Sequence, residues 1–100
     1  MPELSEVSLE AFSPLVGERF AMQLDDGPAL AVTLSEATAL ASQPSRTGRI
    51  PFSLLFEGPP EPILPQRIYP LEHPALGRLE LFLVPLQPES GAARYQAIFT

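Results

Sequence analysis

The 100-residue chain contains no cysteine, no lysine and only one histidine, His73. Without cysteine there is no disulfide framework, no thiolate nucleophile and no cysteine-ligated zinc or iron–sulfur centre. One histidine excludes a histidine-rich metal site, and any histidine-dependent triad would have to use His73 as its base. Neither a metal nor a cofactor is expected. The cations are all arginines, Arg19, Arg46, Arg49, Arg67, Arg78 and Arg94, scattered along the chain. No basic stripe exists to follow a nucleic-acid backbone. Twelve acidic residues outweigh them to a formal net charge of −6, a sign that repels phosphate backbones and anionic lipid. Neither nucleic acid nor a membrane is therefore an expected partner.

Long apolar runs are also missing. The longest, residues 81–86, is interrupted by Pro85 and falls far short of the roughly 20 residues of a spanning helix. The first residues, Met1-Pro2-Glu3-Leu4-Ser5-Glu6, lack the cationic stretch and apolar segment of a secretory signal, so a soluble, cytoplasmic chain is expected. What is present suffices for a core: 45% of residues are hydrophobic and 18% charged, too apolar for a disordered chain. One domain over residues 1–100 is expected at this length.

Period-two alternation dominates the pattern. After a short helix over residues 5–12, with Val7, Ala11 and Phe12 on one face, residues 19–25 alternate and place Phe20, Met22 and Leu24 together. Asp26-Gly27 then marks a hairpin turn, since both positions tolerate positive φ. Its partner strand covers residues 29–36, with Leu30, Val32 and Leu34 inward, and a polar loop follows over residues 37–49. Further strands are expected over residues 51–57, 66–72, 78–86 and 94–100. Pro70 inside the fourth argues for an edge or a bulge. In the fifth, Leu79, Leu81 and Leu83 share one face and Phe82, Val84 and Leu86 the other, which reads as a strand covered on both sides. Six short strands with little helix give an all-β class: a small antiparallel six-stranded barrel or a two-layer sandwich with a short N-terminal helix. The barrel is favoured because closure removes exposed edges.

Few residues signal chemistry. His73, beside Glu72, is the one candidate general base, although a turn histidine packed on a proline fits the same residues. Asp25 and Asp26 form a carboxylate pair that hairpin chemistry explains. Ser45-Arg46-Thr47-Gly48-Arg49 could wrap an anion or form a polar loop. The proline-rich stretch Gly58-Pro59-Pro60-Glu61-Pro62-Ile63-Leu64-Pro65 is the better binding candidate, because a preformed extended segment loses little entropy on docking. Pro59, Pro60, Pro62 and Pro65, with Arg67 and Tyr69 just beyond, are the candidate binding residues. The aromatic residues mostly fall at alternating strand positions, where aromatics fill a core.

The second half resembles a small family of bacterial domains of unknown function. The features that carry it are Pro51-Phe52-Ser53-Leu54-Leu55-Phe56, Leu64-Pro65-Gln66, Tyr69, Glu72-His73-Pro74, Leu76-Gly77, Phe82-Leu83-Val84-Pro85 and Tyr95-Gln96-Ala97-Ile98-Phe99. The stretch from Phe12 through Gly17 to Phe20 fits more loosely. The resemblance covers most of the chain and rests on core and turn residues, so it implies a shared fold and supplies no catalytic residue. It also implies an accessory role beside proteins that look like phage tail fibres.

The expected function is a non-enzymatic interaction or accessory domain in a phage-tail-like or other bacterial assembly. It would engage a protein partner, or a second copy of itself, through a sheet edge or the proline-rich stretch. Two alternatives are a small-ligand-binding barrel with Arg67 and Tyr69 lining its pocket, and a hydrolase-type enzyme using His73.

Overall fold

The computed structural model describes residues 8–24, 27–44, 50–61 and 63–99. A single helical turn, α1 (Leu9–Phe12), continues into a 3₁₀ turn, Ser13–Leu15. Pro14 is accepted there because its missing N–H falls in a first turn that has no internal partner for it. The second half of the expected helix is thus present, and residues 5–7 lie outside the described residues.

Six strands follow: β1 (Arg19–Met22), β2 (Leu30–Ala39), β3 (Phe52–Gly58), β4 (Arg67–His73), β5 (Gly77–Glu89) and β6 (Ala92–Phe99). All pairings are antiparallel, in the order β1-β2-β3-β6-β5-β4, and β4 returns to β1 to close a barrel. Of the two architectures in the sequence pattern, the chain takes the barrel. Alternation then has a simple meaning, since every second residue of each strand points into the lumen. Phe20, Val32, Phe56, Leu71, Leu81 and Tyr95 all do so and are buried. Eight strands leave a lumen just wide enough for side chains to fill, and six leave less. One end is closed by Phe12, whose ring lies 5.9 Å from that of Phe52 and 5.8 Å from that of Phe99. The latter two rings stack at 4.6 Å.

Two strands run further than their patterns suggest. β2 continues to Ala39 because Ala37, Thr38 and Ala39 pair with Leu54, Ser53 and Phe52. A bulge between Leu34 and Glu36 shifts the inward phase just before that extension. β5 continues to Glu89, so the gap between the strands expected over residues 78–86 and 94–100 shrinks to a two-residue turn at Ser90 and Gly91. Both have positive φ, 54° and 77°, the conformation of a type I′ hairpin turn. β1 ends at Met22, earlier than expected, and Asp25 and Asp26 lie outside the described residues.

β5 also corrects the reading of a strand covered on both faces. Leu79, Leu81 and Leu83 are buried, but Phe82 is 51% exposed and Val84 and Leu86 are only half-buried. The outside of a barrel meets solvent, and nothing among the described residues covers that face.

Pro70 likewise does not mark an edge strand, for β4 pairs on both sides. It marks the barrel's weakest seam. β1 and β4 pair only at Ala21↔Glu72 and Met22↔Leu71. One position further, Gln23 N–H donates to the Pro70 carbonyl at 2.8 Å. The return bond cannot form because proline has no N–H, and the ladder stops.

Candidate functional site

Three places on the barrel bring the candidate residues together or leave polar and apolar groups exposed. The first surrounds His73. The β4–β5 turn follows it, with Leu76 N–H donating to the His73 carbonyl, and the ring points inward and packs on Phe20 with centroids 4.8 Å apart. It is the one buried polar residue among those described. Its Nδ1 accepts the Ala75 N–H at 2.9 Å. A ring nitrogen facing an N–H must be unprotonated, so the proton sits on Nε2, which lies 2.7 Å from Glu18 Oε1 and donates to it. Glu18 stands in the segment that leads into β1, fixed by the Leu34 N–H donating to its carbonyl. The pair thus ties the β4–β5 turn to the start of β1 across 55 residues of sequence.

An open depression of about 590 Å³ lies beside this pair, lined by Ala21, Glu72, His73, Pro74, Gly77 and Arg78. General-base work by His73 would require breaking one of two bonds that hold the turn. Among the described residues, no three His, Asp or Glu side chains gather where they could hold a metal ion.

The second place is the proline-rich stretch, whose described residues, 58–61 and 63–65, form a strap at the other mouth of the barrel. Two inward tyrosines meet it. The Tyr95 hydroxyl accepts the Leu64 N–H at 3.0 Å, and the Tyr69 hydroxyl donates to the Pro65 carbonyl at 2.6 Å. Leu64 packs against the core while Ile63 is 51% exposed. The sequence-predicted residues therefore divide. Pro65 and Tyr69 are joined by that bond, and Arg67 lies over the Tyr69 ring at 5.1 Å from its centroid, a cation–π contact. Pro59 and Pro60 are exposed, and Pro62 lies outside the described residues, as do residues 45–49 of the candidate anion loop. Tyr69 and Tyr95 send their hydroxyls to the strap, and the interior around them is one cluster of buried side chains.

The third place includes Phe82, which the sequence pattern read as covered. Ile68, Phe82 and Ile98 stand on the outer wall, 57%, 51% and 57% exposed. Ile68 and Phe82 are direct cross-strand partners. The last β5–β6 pair at this end is Val84↔Gln96, and two residues further along each strand are Phe82 and Ile98. The three side chains thus form an apolar row across β4, β5 and β6. Large apolar side chains in one contiguous patch are the surface signal of an interaction site. The outward phase of Ile68 and Phe82 could have been read from the buried Tyr69 and Leu83, whose neighbours they are.

No helix among the described residues is long and apolar enough to cross a membrane. Comparison with curated proteins and with solved structures finds no match. The family comparison does find one, over residues 7–99, which includes all six strands, the strap and the Glu18–His73 pair. On that match the chain belongs to the family described as Domain of unknown function (DUF6916).

Proposed function

We propose that this barrel is a non-enzymatic interaction domain that docks a protein partner on its outer wall, at the row formed by Ile68, Phe82 and Ile98. The row itself carries the reading: three large apolar side chains on adjacent strands are each more than half exposed, and burying such a patch is the main source of protein–protein affinity. The placement of His73 supports it as well, because both ring nitrogens serve the fold. Packing supports it too, because the tyrosine hydroxyls that a lumen ligand could use are engaged by the strap. The partner fits a component of a bacterial cytoplasmic assembly, including a phage-tail-like one, or a second copy of the chain.

The test compares the wild-type chain with a Phe82→Ser, Ile98→Thr double variant as bait in lysate of the native host, with sedimentation of each alone. A stoichiometric partner retained by the wild type and lost by the variant, at unchanged thermal midpoint, is the expected result. Equal retention by both would place the interaction elsewhere. Wild-type self-association abolished by the same variant would make the partner a second copy.

A further inference from the structure

The outer wall carries a second feature where the β4–β5 turn closes, at the end of these strands away from the strap. Ala21, Glu72 and Arg78 stand side by side on β1, β4 and β5, since Ala21 pairs with Glu72 and Glu72 with Arg78. Their side chains point outward, because a chain neighbour of each, Met22, Leu71 and Leu79, is buried. Glu72 and Arg78 are exposed and Ala21 is half-buried.

With His73, Pro74 and Gly77 these three line the open depression of about 590 Å³, a volume within the range of small-molecule sites. Most of the lining is apolar. Ala21 contributes a single methyl group and Gly77 no side chain, and a Cβ placed on Gly77 would meet no atom within 4 Å. Both ring nitrogens of His73 are engaged, by Ala75 and by Glu18, so the ring brings no free hydrogen-bonding group.

The charged groups at the rim are Glu72 and Arg78, opposite in sign and on adjacent strands. Directly opposed residues of opposite charge favour pairing, yet Arg78 makes no ion pair or hydrogen bond among the described residues. Glu72 instead accepts the side-chain amide of Gln23 at Oε1, 3.3 Å away, which draws its carboxylate toward β1. An unbonded guanidinium and a carboxylate with its second oxygen unused among the described residues therefore flank an apolar surface.

We propose that this depression binds a free α-amino acid with an apolar side chain. Arg78 takes the carboxylate in its planar fork, Glu72 takes the ammonium group, and the side chain rests on Ala21 and Pro74. Adjacent strands stand about 4.8 Å apart, which suits two charges borne on one carbon better than the ends of an extended dipeptide, roughly 7 Å long. A zwitterion also meets no net repulsion from a chain of formal charge −6, whereas a plain anion does.

The test titrates L-leucine into the isotope-labelled protein and follows its amide chemical shifts. Saturable changes centred on Ala21, Glu72, Gly77 and Arg78 are expected, with half-saturation on the order of 1 mM, ordinary for so small a ligand in an open site. No saturation by the solubility limit of leucine, or changes centred elsewhere, overturns the proposal. Leucinamide, which lacks the carboxylate, and isocaproate, which lacks the ammonium group, should each bind at least roughly tenfold more weakly; equal binding of either overturns the zwitterion assignment. Arg78→Gln and Glu72→Gln should each weaken leucine binding at least about tenfold at an unchanged thermal midpoint, since a glutamine at the second site keeps an acceptor for Gln23. Binding unaffected by both substitutions overturns the site. The Phe82→Ser, Ile98→Thr variant should bind leucine as the wild type does, so that this site and the interaction surface stand or fall separately.

Discussion

The buried Tyr95 hydroxyl accepts the backbone N–H of Leu64 at 3.0 Å, so a residue from the centre of β6 anchors a loop that follows β3. The next residue of that loop, Pro65, is held by Tyr69 from β4. Two aromatic side chains that fill the lumen also fasten its cover. Tyr95→Phe would keep the packing and strand the Leu64 N–H, a loss of about 1–3 kcal/mol by the usual cost of an unpartnered buried donor. Urea unfolding measures it. A change below about 0.3 kcal/mol would show the N–H reaching water instead.

His73 is expected to be a neutral imidazole with its proton on Nε2, because Nδ1 faces the Ala75 N–H. Long-range nitrogen–proton correlation spectra distinguish the two ring nitrogens, and a protonated Nδ1 would contradict the network. His73→Ala should cost roughly 2–4 kcal/mol, because Phe20 would be left without the ring it packs on and the Ala75 N–H without its acceptor.

Ser90 has φ of 54° without being glycine. It stands first of the two central residues in a turn whose backbone favours Asn-Gly. Ser90→Asn should raise stability by about 0.5 kcal/mol, and Ser90→Val should lower it by about 1–2 kcal/mol, since a β-branched residue resists the left-handed region. Thermal unfolding of the two variants tests the sign of each.

Gly58 ends β3 where space is tight. A Cβ there would lie 3.1 Å from Val32 Cγ1, and Val32 is fully buried with a stiff χ1. Gly58→Ala should therefore cost about 1–2 kcal/mol. Combined with Val32→Ala, the two losses should add to less than their sum, because the second removes the methyl that the first meets. Additive losses would place the cost in the backbone.

Phe12 bridges the stacked rings of Phe52 and Phe99. Phe12→Ala should cost about 3–5 kcal/mol and loosen the helical turn before the barrel does. Exchange of the Ala11 N–H, bonded to the Ser8 carbonyl, should rise more than that of Leu54. A uniform rise would mean that the turn and barrel unfold together.

The sequence carried most of the barrel, because alternation survives wherever one face is buried. Phe52, Leu54 and Phe56 on β3 and Leu79, Leu81 and Leu83 on β5 were legible for that reason. It failed where phase breaks, as at the Leu34/Glu36 bulge, and where both faces are apolar. Phe82 looked covered because composition does not say which face a closed sheet turns to solvent. The site was less legible still. Nothing local in Glu18 announces a partner 55 residues away, and the tyrosine hydroxyls that fasten the strap sit on residues whose spacing signals packing alone.

The two-pair seam between β1 and β4 has a kinetic meaning. β4, β5 and β6 follow one another through short turns, so their ladders close small loops; joining Ala21 to Glu72 closes a loop of about 50 residues, with a correspondingly larger entropy cost. That junction should therefore zip last during folding and breathe first in the folded protein. The barrel then behaves as a sheet with a clasp, whose opening would separate the β1–β2–β3 half from β4 while β6 keeps the two halves joined.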